Sequence, residues 1–101
     1  MTGAELISQE RKRQIDDEDY SAEHDDKHTT GELVMASACY IYDYYGHIEI
    51  TEHRAFYRNF AQDRWPWDSY YYKPTPKDPI HQLKIAGALI AAEIDRLQRM
   101  Q

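Results

Sequence analysis

Residues Trp65-Pro66-Trp67-Asp68-Ser69-Tyr70-Tyr71-Tyr72-Lys73-Pro74 concentrate the groups best suited to hold a flat ligand. Five of ten positions are aromatic, and two prolines bracket them. Pro66 and Pro74 fix φ and remove backbone donors, so the stretch reads as a rigid loop rather than a helix interior. An apolar loop of this size either plugs a core or lines a site. In the second case Trp65 and Trp67, with Tyr70 to Tyr72, would sandwich a base or nucleoside, a contact worth ~1–3 kcal/mol per base. Arg64 and Lys73 within the stretch, and Arg13 from elsewhere, would meet a phosphate.

His24-Asp25-Asp26-Lys27-His28 is the densest set of potential ligands. Imidazoles at i and i+4 share one helical face and can share a transition metal such as zinc, with Asp25 or Asp26 adding a carboxylate. A metal site needs three or four ligands, and no further one is marked. The plainer alternative is that these side chains anchor a tight connection, since Asp satisfies turn donors. Between the two lies a pocket without metal, lined by His24 and Asp26, in which the imidazole recognises or protonates a ligand.

Asp16-Asp17-Glu18-Asp19, with Glu10 before it, offers carboxylate oxygens to magnesium. The alternative is a solvated helix end, the usual fate of a charge run. Two other chemistries find no support. Cys39 sits among Ala38 and Tyr40 as a small core residue, with no base nearby to activate it. The four glycines do not cluster into a phosphate loop.

Helices must position these groups. Ala4 to Ile15 is rich in helix formers but thin in apolar residues, which predicts a surface helix ending near the acidic run. Residues 20 to 30 read as a polar connection. Thr29 and Glu32 have capping-box spacing and open a helix over about 30–45, with Leu33, Ala36, Tyr40, Ile41 and Tyr44 on one stripe and Gly46 as its stop. Residues 47 to 53 suggest a short extended piece. Arg54 to Gln62 suggests a short helix with Phe56, Tyr57 and Phe60 inward. Asp78-Pro79 starts a last helix running to about Arg99, its stripe being Leu83, Ala86, Gly87, Ile90, Ile94 and Leu97. The expected fold is all-α. It is a single-domain small helical bundle, with two long antiparallel amphipathic helices covered by the N-terminal helix and the aromatic loop. Small residues Ala86, Gly87 and Ala91 on the last helix permit close approach of another helix, and a homo-oligomer is compatible with that.

The chain has 101 residues, a net charge of -6 and nine tyrosines. Its acidity argues against a duplex nucleic acid partner, which calls for a basic face. A single cysteine excludes an intramolecular disulfide and fits a reducing compartment. Residues 1 to 20 lack the apolar core of a signal peptide, and no stretch approaches a membrane span, so no membrane partner is expected.

Several blocks, in order, resemble a known pattern. They are Glu10-Arg11-x-Arg13-Gln14-Ile15, Glu23-His24-Asp25-Asp26-x-His28-x-x-Gly31-Glu32-Leu33, Ala38-Cys39-Tyr40, Trp65-Pro66-Trp67-Asp68 with Lys73-Pro74, and Ala86-Gly87-Ala88-Leu89-Ile90-x-Ala92-Glu93-Ile94-Asp95-Arg96-Leu97. The order is similar to that of a family of small accessory proteins of tailed bacteriophages and prophages. It covers most of the chain apart from residues 43 to 62. Asp19-Tyr20 stands where the pattern has Gly-Trp, and Tyr71-Tyr72 where it has a tryptophan pair. The resemblance implies a phage protein acting in the host bacterial cytoplasm, without bringing an activity. The last helix is also similar to MazG-like nucleotide pyrophosphohydrolases, all-α and magnesium-dependent. Glu49-x-x-Glu52 has their first acidic spacing, but Glu93-x-Asp95 departs from their second.

Three readings follow. The first is a phage accessory protein, with counter-defence as one use, that binds a nucleotide or nucleotide-derived molecule with Trp65, Trp67, Tyr71, Lys73, Arg64, Arg13, His24 and Asp26, without a cofactor. The second is a magnesium-dependent nucleotide hydrolase using Glu10, Asp16, Asp17 and Asp25 or Asp26. The third is an acidic inhibitor of a host protein, anchored by exposed aromatics. Zinc at His24, Asp25 and His28 is the alternative metal.

Overall fold

The computed structural model of the chain describes residues 1–49 and 52–101. Five α-helices follow one another: α1 (Gly3–Glu18), α2 (Ala22–Asp26), α3 (Glu32–Ile48), α4 (Arg54–Arg64) and α5 (Pro79–Arg99). A 3-10 turn, Ser69–Tyr71, lies inside the aromatic loop, and there is no strand among the described residues. The fold is all-α. No helix among the described residues is long and apolar enough to cross a membrane.

The helix ends follow local chemistry. The capping box belongs to α1: Glu5 N–H donates to Thr2 Oγ1 at 3.1 Å, and Thr2 N–H donates to the Glu5 carboxylate at 3.0 Å. The expected box between Thr29 and Glu32 does not form. Gly31 caps α3 in the left-handed region, at φ 87°, and the Glu32 carboxylate turns back to Thr30, accepting from its N–H at 2.7 Å and its hydroxyl at 2.5 Å. Those bonds hold the Glu32 carboxyl down at about 2. At α5 the expectation holds: Asp78 accepts from His81 N–H, and Pro79 opens the first turn.

Helices α3 and α5 pack antiparallel. Ser37 Oγ donates to the Ala86 carbonyl at 2.8 Å and Gln82 Nε2 to the Tyr40 carbonyl at 3.0 Å, so numbers rise along one helix as they fall along the other. The core between them is built from Leu33, Ala36, Tyr40, Ala86, Leu89 and Ala92. Helix α1 lies on the other side of α5, with Ile7 seated where a Cβ on Gly87 would come within 2.6 Å of its Cδ1. Helix α4 lies on the outer side of α3. The helices thus form a layer in the order α4, α3, α5, α1.

Several expectations are corrected. Gly46 does not stop α3. It is buried inside the helix, where an added Cβ would meet Arg58 Cγ at 2.6 Å and the Arg54 carbonyl at 3.3 Å, so it admits α4 rather than ending α3. The expected extended piece over 47–53 is helical as far as Ile48 and again at Arg54, while Ile50 and Thr51 lie outside the described residues. Tyr57 and Phe60 do face inward, against Tyr42, but Phe56 is exposed. On α3, Ile41 is exposed as well. On α5 the stripe of Leu83, Ile90, Ile94 and Leu97 is not the buried face. Gln82, Ala86, Leu89, Ala92 and Arg96 are buried instead, because α3 and the aromatic loop approach α5 on that side. The small residues expected to admit a second chain are occupied within this one: Gly87 by Ile7, and Ala86 by α3.

Candidate ligand-binding cleft

The aromatic loop lies over one face of the α3/α5 pair. Trp65, Trp67 and Tyr72 pack against the core cluster, so part of each ring system is a plug. Trp65 stands edge-on to Tyr40 with centroids 5.7 Å apart, and edge-on to Trp67 at 5.3 Å. Backbone and side-chain bonds fix the loop. Trp65 Nε1 donates to the Asp68 carbonyl at 3.0 Å, Tyr70 N–H donates to Asp68 Oδ1 at 2.8 Å, and Lys73 N–H donates to Tyr40 Oη at 3.3 Å. At the loop exit Gln82, fully buried, accepts from Thr75 N–H at 2.7 Å and donates to Asp43 at 2.8 Å. One side chain therefore ties loop, α3 and α5 together.

Beside this loop, against α1, opens a cleft of about 740 Å³. That is within the range of small-molecule sites. Trp65, Trp67, Tyr70, Tyr71, Tyr20 and Tyr40 form its walls. A smaller cavity of about 320 Å³ shares Glu18, Tyr20, Trp67 and Tyr71 with it and adds His24. Burial pushes the Tyr20 phenol up to about 12 and raises those of Tyr40 and, behind the walls, Tyr72, so these phenols stay neutral. Charge is carried by Arg13, Glu18 and Lys73, with His81 beside them. Arg13 is already engaged: Nε donates to Glu10 at 2.6 Å and Nη2 to Glu18 at 2.8 Å, and these bonds raise its pKa. Lys73 Nζ lies 5.0 Å from the Tyr70 ring centroid.

Two buried polar atoms stand out. Gln14 is only 2% exposed, lines the cleft, and has no hydrogen-bond partner at Oε1 among the described residues. Trp67 lines both cavities, and its buried Nε1 likewise has none. A buried acceptor or donor left unmet costs about 1–3 kcal/mol. Two residues that line the cleft therefore each carry a buried polar atom without a partner, an acceptor on Gln14 and a donor on Trp67.

The sequence candidates divide. Trp65, Trp67, Tyr71, Lys73 and Arg13 line the larger cavity and His24 the smaller. Arg64 does not join them: it ends α4 with its guanidinium 5.4 Å from the Phe60 ring. Nor does Asp26, which pairs with Arg99 at 2.8 Å and so clamps α2 to the end of α5. Sequence reasoning missed Gln14, Tyr20 and His81. Gln14 was within reach, since Gly3, Ile7, Glu10 and Gln14 recur at helical spacing on one side of α1.

The His-Asp cluster acts as an anchor. Asp25 is fully buried, bonded to Arg11 at 2.9 Å and to His24 Nδ1 at 2.8 Å. His24 stacks on Tyr20 at 4.5 Å and meets His28 edge-on, and His28 in turn lies against Trp67. His28 Nδ1 reaches Glu32 at 3.3 Å. Among the described residues no group of three or more His, Cys, Asp or Glu is arranged to hold a metal ion. Of the carboxylates proposed for magnesium, Glu10 pairs with Arg13, Asp16 with Lys12, Asp25 with Arg11 and Asp26 with Arg99, while Asp17 is exposed near the end of α1. Cys39 is fully buried, and burial pushes its thiol up to about 11, which suits packing rather than attack.

Compared with known proteins, the chain matches no family model, no curated protein and no solved structure.

Proposed function

We propose that this chain binds a small planar heteroaromatic molecule, a nucleotide or nucleotide derivative, in the cleft between the aromatic loop and α1. The observation that carries the reading is Gln14. A buried amide with an unmet carbonyl oxygen, inside a wall of tryptophan and tyrosine rings, suits the polar edge of a base whose faces stack on those rings. Trp67 Nε1 offers a donor to the same kind of edge. Lys73 at the cleft supplies a positive group for a phosphate and His81 a ring N–H, and the Arg13–Glu18 pair also lines the cleft. On the phage resemblance, the role is retention of a host nucleotide signal in the bacterial cytoplasm, without turnover.

The test is a stability and binding measurement on Gln14→Leu. Leucine removes the unmet carbonyl, so the free protein should melt at the same temperature or higher. Retention of a nucleoside or nucleotide panel, read by native mass spectrometry and titration calorimetry, should fall about 10-fold or more for the ligand that wild type holds best. A variant that melts lower and binds unchanged would sink the reading. So would a wild-type chain that retains no member of the panel.

A further inference from the structure

The α3/α5 pair has a second surface, on the side away from the cleft. On α5, Leu83, Ile90, Ile94 and Leu97 lie across the helix from Ile85 and Leu89, which line the cleft. With Gly87, which borders α1 and is covered by Ile7, they recur at alternating spacings of four and three. On α3, Val34, Ile41, Tyr45 and Ile48 lie half a turn from Cys39 and Asp43, which face the loop and its exit. With Ala38 they repeat the same spacing. This is the seam spacing of helices packed side by side in a bundle. Helices α1 and α4 flank the pair and leave this side open.

The eight large residues are 39% to 54% exposed, and none is charged. Monomeric proteins seldom leave so long an apolar surface bare. With Ile80 at its end, covering the surface would remove on the order of 800 Å² per copy, the size of one side of a stable protein interface. An antiparallel helix pair with such a seam is half of a four-helix bundle. A two-fold axis supplies the other half by setting the same stripe of uncharged residues against itself. A membrane surface is the weaker occupant, because amphipathic membrane faces are flanked by cations and this chain carries a net charge of -6.

We infer that the exposed face of α3 and α5 is the interface between two copies of this chain, which leaves the two aromatic clefts on the outer sides of the dimer. Light scattering after size exclusion, and sedimentation equilibrium, should give twice the chain mass for wild type, dissociating on dilution. Ile90→Gln with Ile94→Gln should shift the mass to that of one chain with unchanged helicity, since both side chains are half exposed in the single chain. Ile41→Gln repeats the test from α3 alone. Wild type at single-chain mass throughout the micromolar range would overturn the inference, whatever the variants do. A single-chain mass with co-sedimentation on neutral phosphatidylcholine vesicles would overturn it in favour of a lipid surface. A double-mass species that persists in all three substitutions would overturn the assignment of the face.

Discussion

The two sides of the α3/α5 pair are built from the same two helices and differ in almost every property. One side is covered: the aromatic loop lies on it, α1 borders it, and buried polar groups such as Gln82 and Gln14 are set among rings. The other is bare and carries the larger aliphatic residues. Leu33, Tyr40 and Leu89 apart, the helices hide small and polar residues and show large ones. That inversion is possible because the covered side is filled from the loop, by Trp65, Trp67 and Tyr72, so the helices there need only supply floor. An amphipathic stripe identifies a face that wants a neighbour, and here the covered face and the apolar stripe are different faces.

Adjacent residues on α5 give the sharpest break between the two sides. Leu89 is 2% exposed and Ile90 39%. Leu89→Ala should cost about 2–5 kcal/mol in chemical denaturation, as for a buried leucine. Ile90→Ala should cost the single chain well under that and act mainly on self-association. Equal losses at fixed protein concentration would erase the distinction between covered and bare sides. Next in size is Gln82→Leu. It leaves Thr75 N–H, the Tyr40 carbonyl and Asp43 without their bonds to this side chain, and should cost about 1–3 kcal/mol. Cleft binding should weaken with it, since the loop exit loses its tie; calorimetry on a variant that still folds checks this.

Trp67→Ala should lower affinity for a stacked base by ~1–3 kcal/mol, roughly 5- to 150-fold. It should leave the mass of any dimer unaltered, since Trp67 is on the far side from the seam. Loss of both together would mean the two sides are one cooperative unit. A smaller effect is expected at Gly87→Ala. The added methyl crowds Ile7, which is stiff at Cβ, at about 1–3 kcal/mol, offset by about 1 kcal/mol of helix propensity. Because α1 carries Gln14, hydrogen exchange in α1 should quicken even where the melting temperature barely moves. The smallest effect is with acid. The folded Glu32 carboxyl lies at about 2 against an ordinary 4.5, so its contribution is present above 4.5 and lost as pH falls towards 2. Helicity at the start of α3 should decline over that window, and Thr30→Val should remove part of the decline.

Much of this architecture was legible in the sequence. The Asp78-Pro79 start, the antiparallel long helices and the rigid aromatic loop all follow from local chemistry that needs no tertiary partner. What failed needed knowledge of neighbours. Gly46 carries the composition of a stop, but the approach of α4 makes it an interior contact. Leu83 and Ile90 carry the composition of a core, but the loop's tryptophans fill the space a core leucine would. Within the cleft the rings were legible as a cluster; the side of α1 that Gln14 occupies was within reach of its helical spacing, but its unmet oxygen was not, because an amide becomes informative only once it is seen to be buried and unmet. Arg64 and Asp26 were drawn in by nearness along the chain, but α4 carries the first elsewhere and Arg99 of α5 holds the second.

The chain has two tryptophans, and both are walls of the cleft that also rest on the core. Its ultraviolet emission therefore comes from one patch. Tyr40 and Tyr72 have rings within 6 Å of Trp65, so light absorbed by tyrosine should be passed to the indoles and emitted there. A stacked occupant should quench that emission at constant wavelength, while unfolding should shift it to the red. The protein thus carries an intrinsic optical probe in which occupancy and denaturation separate by colour, and no label needs to be attached to follow either.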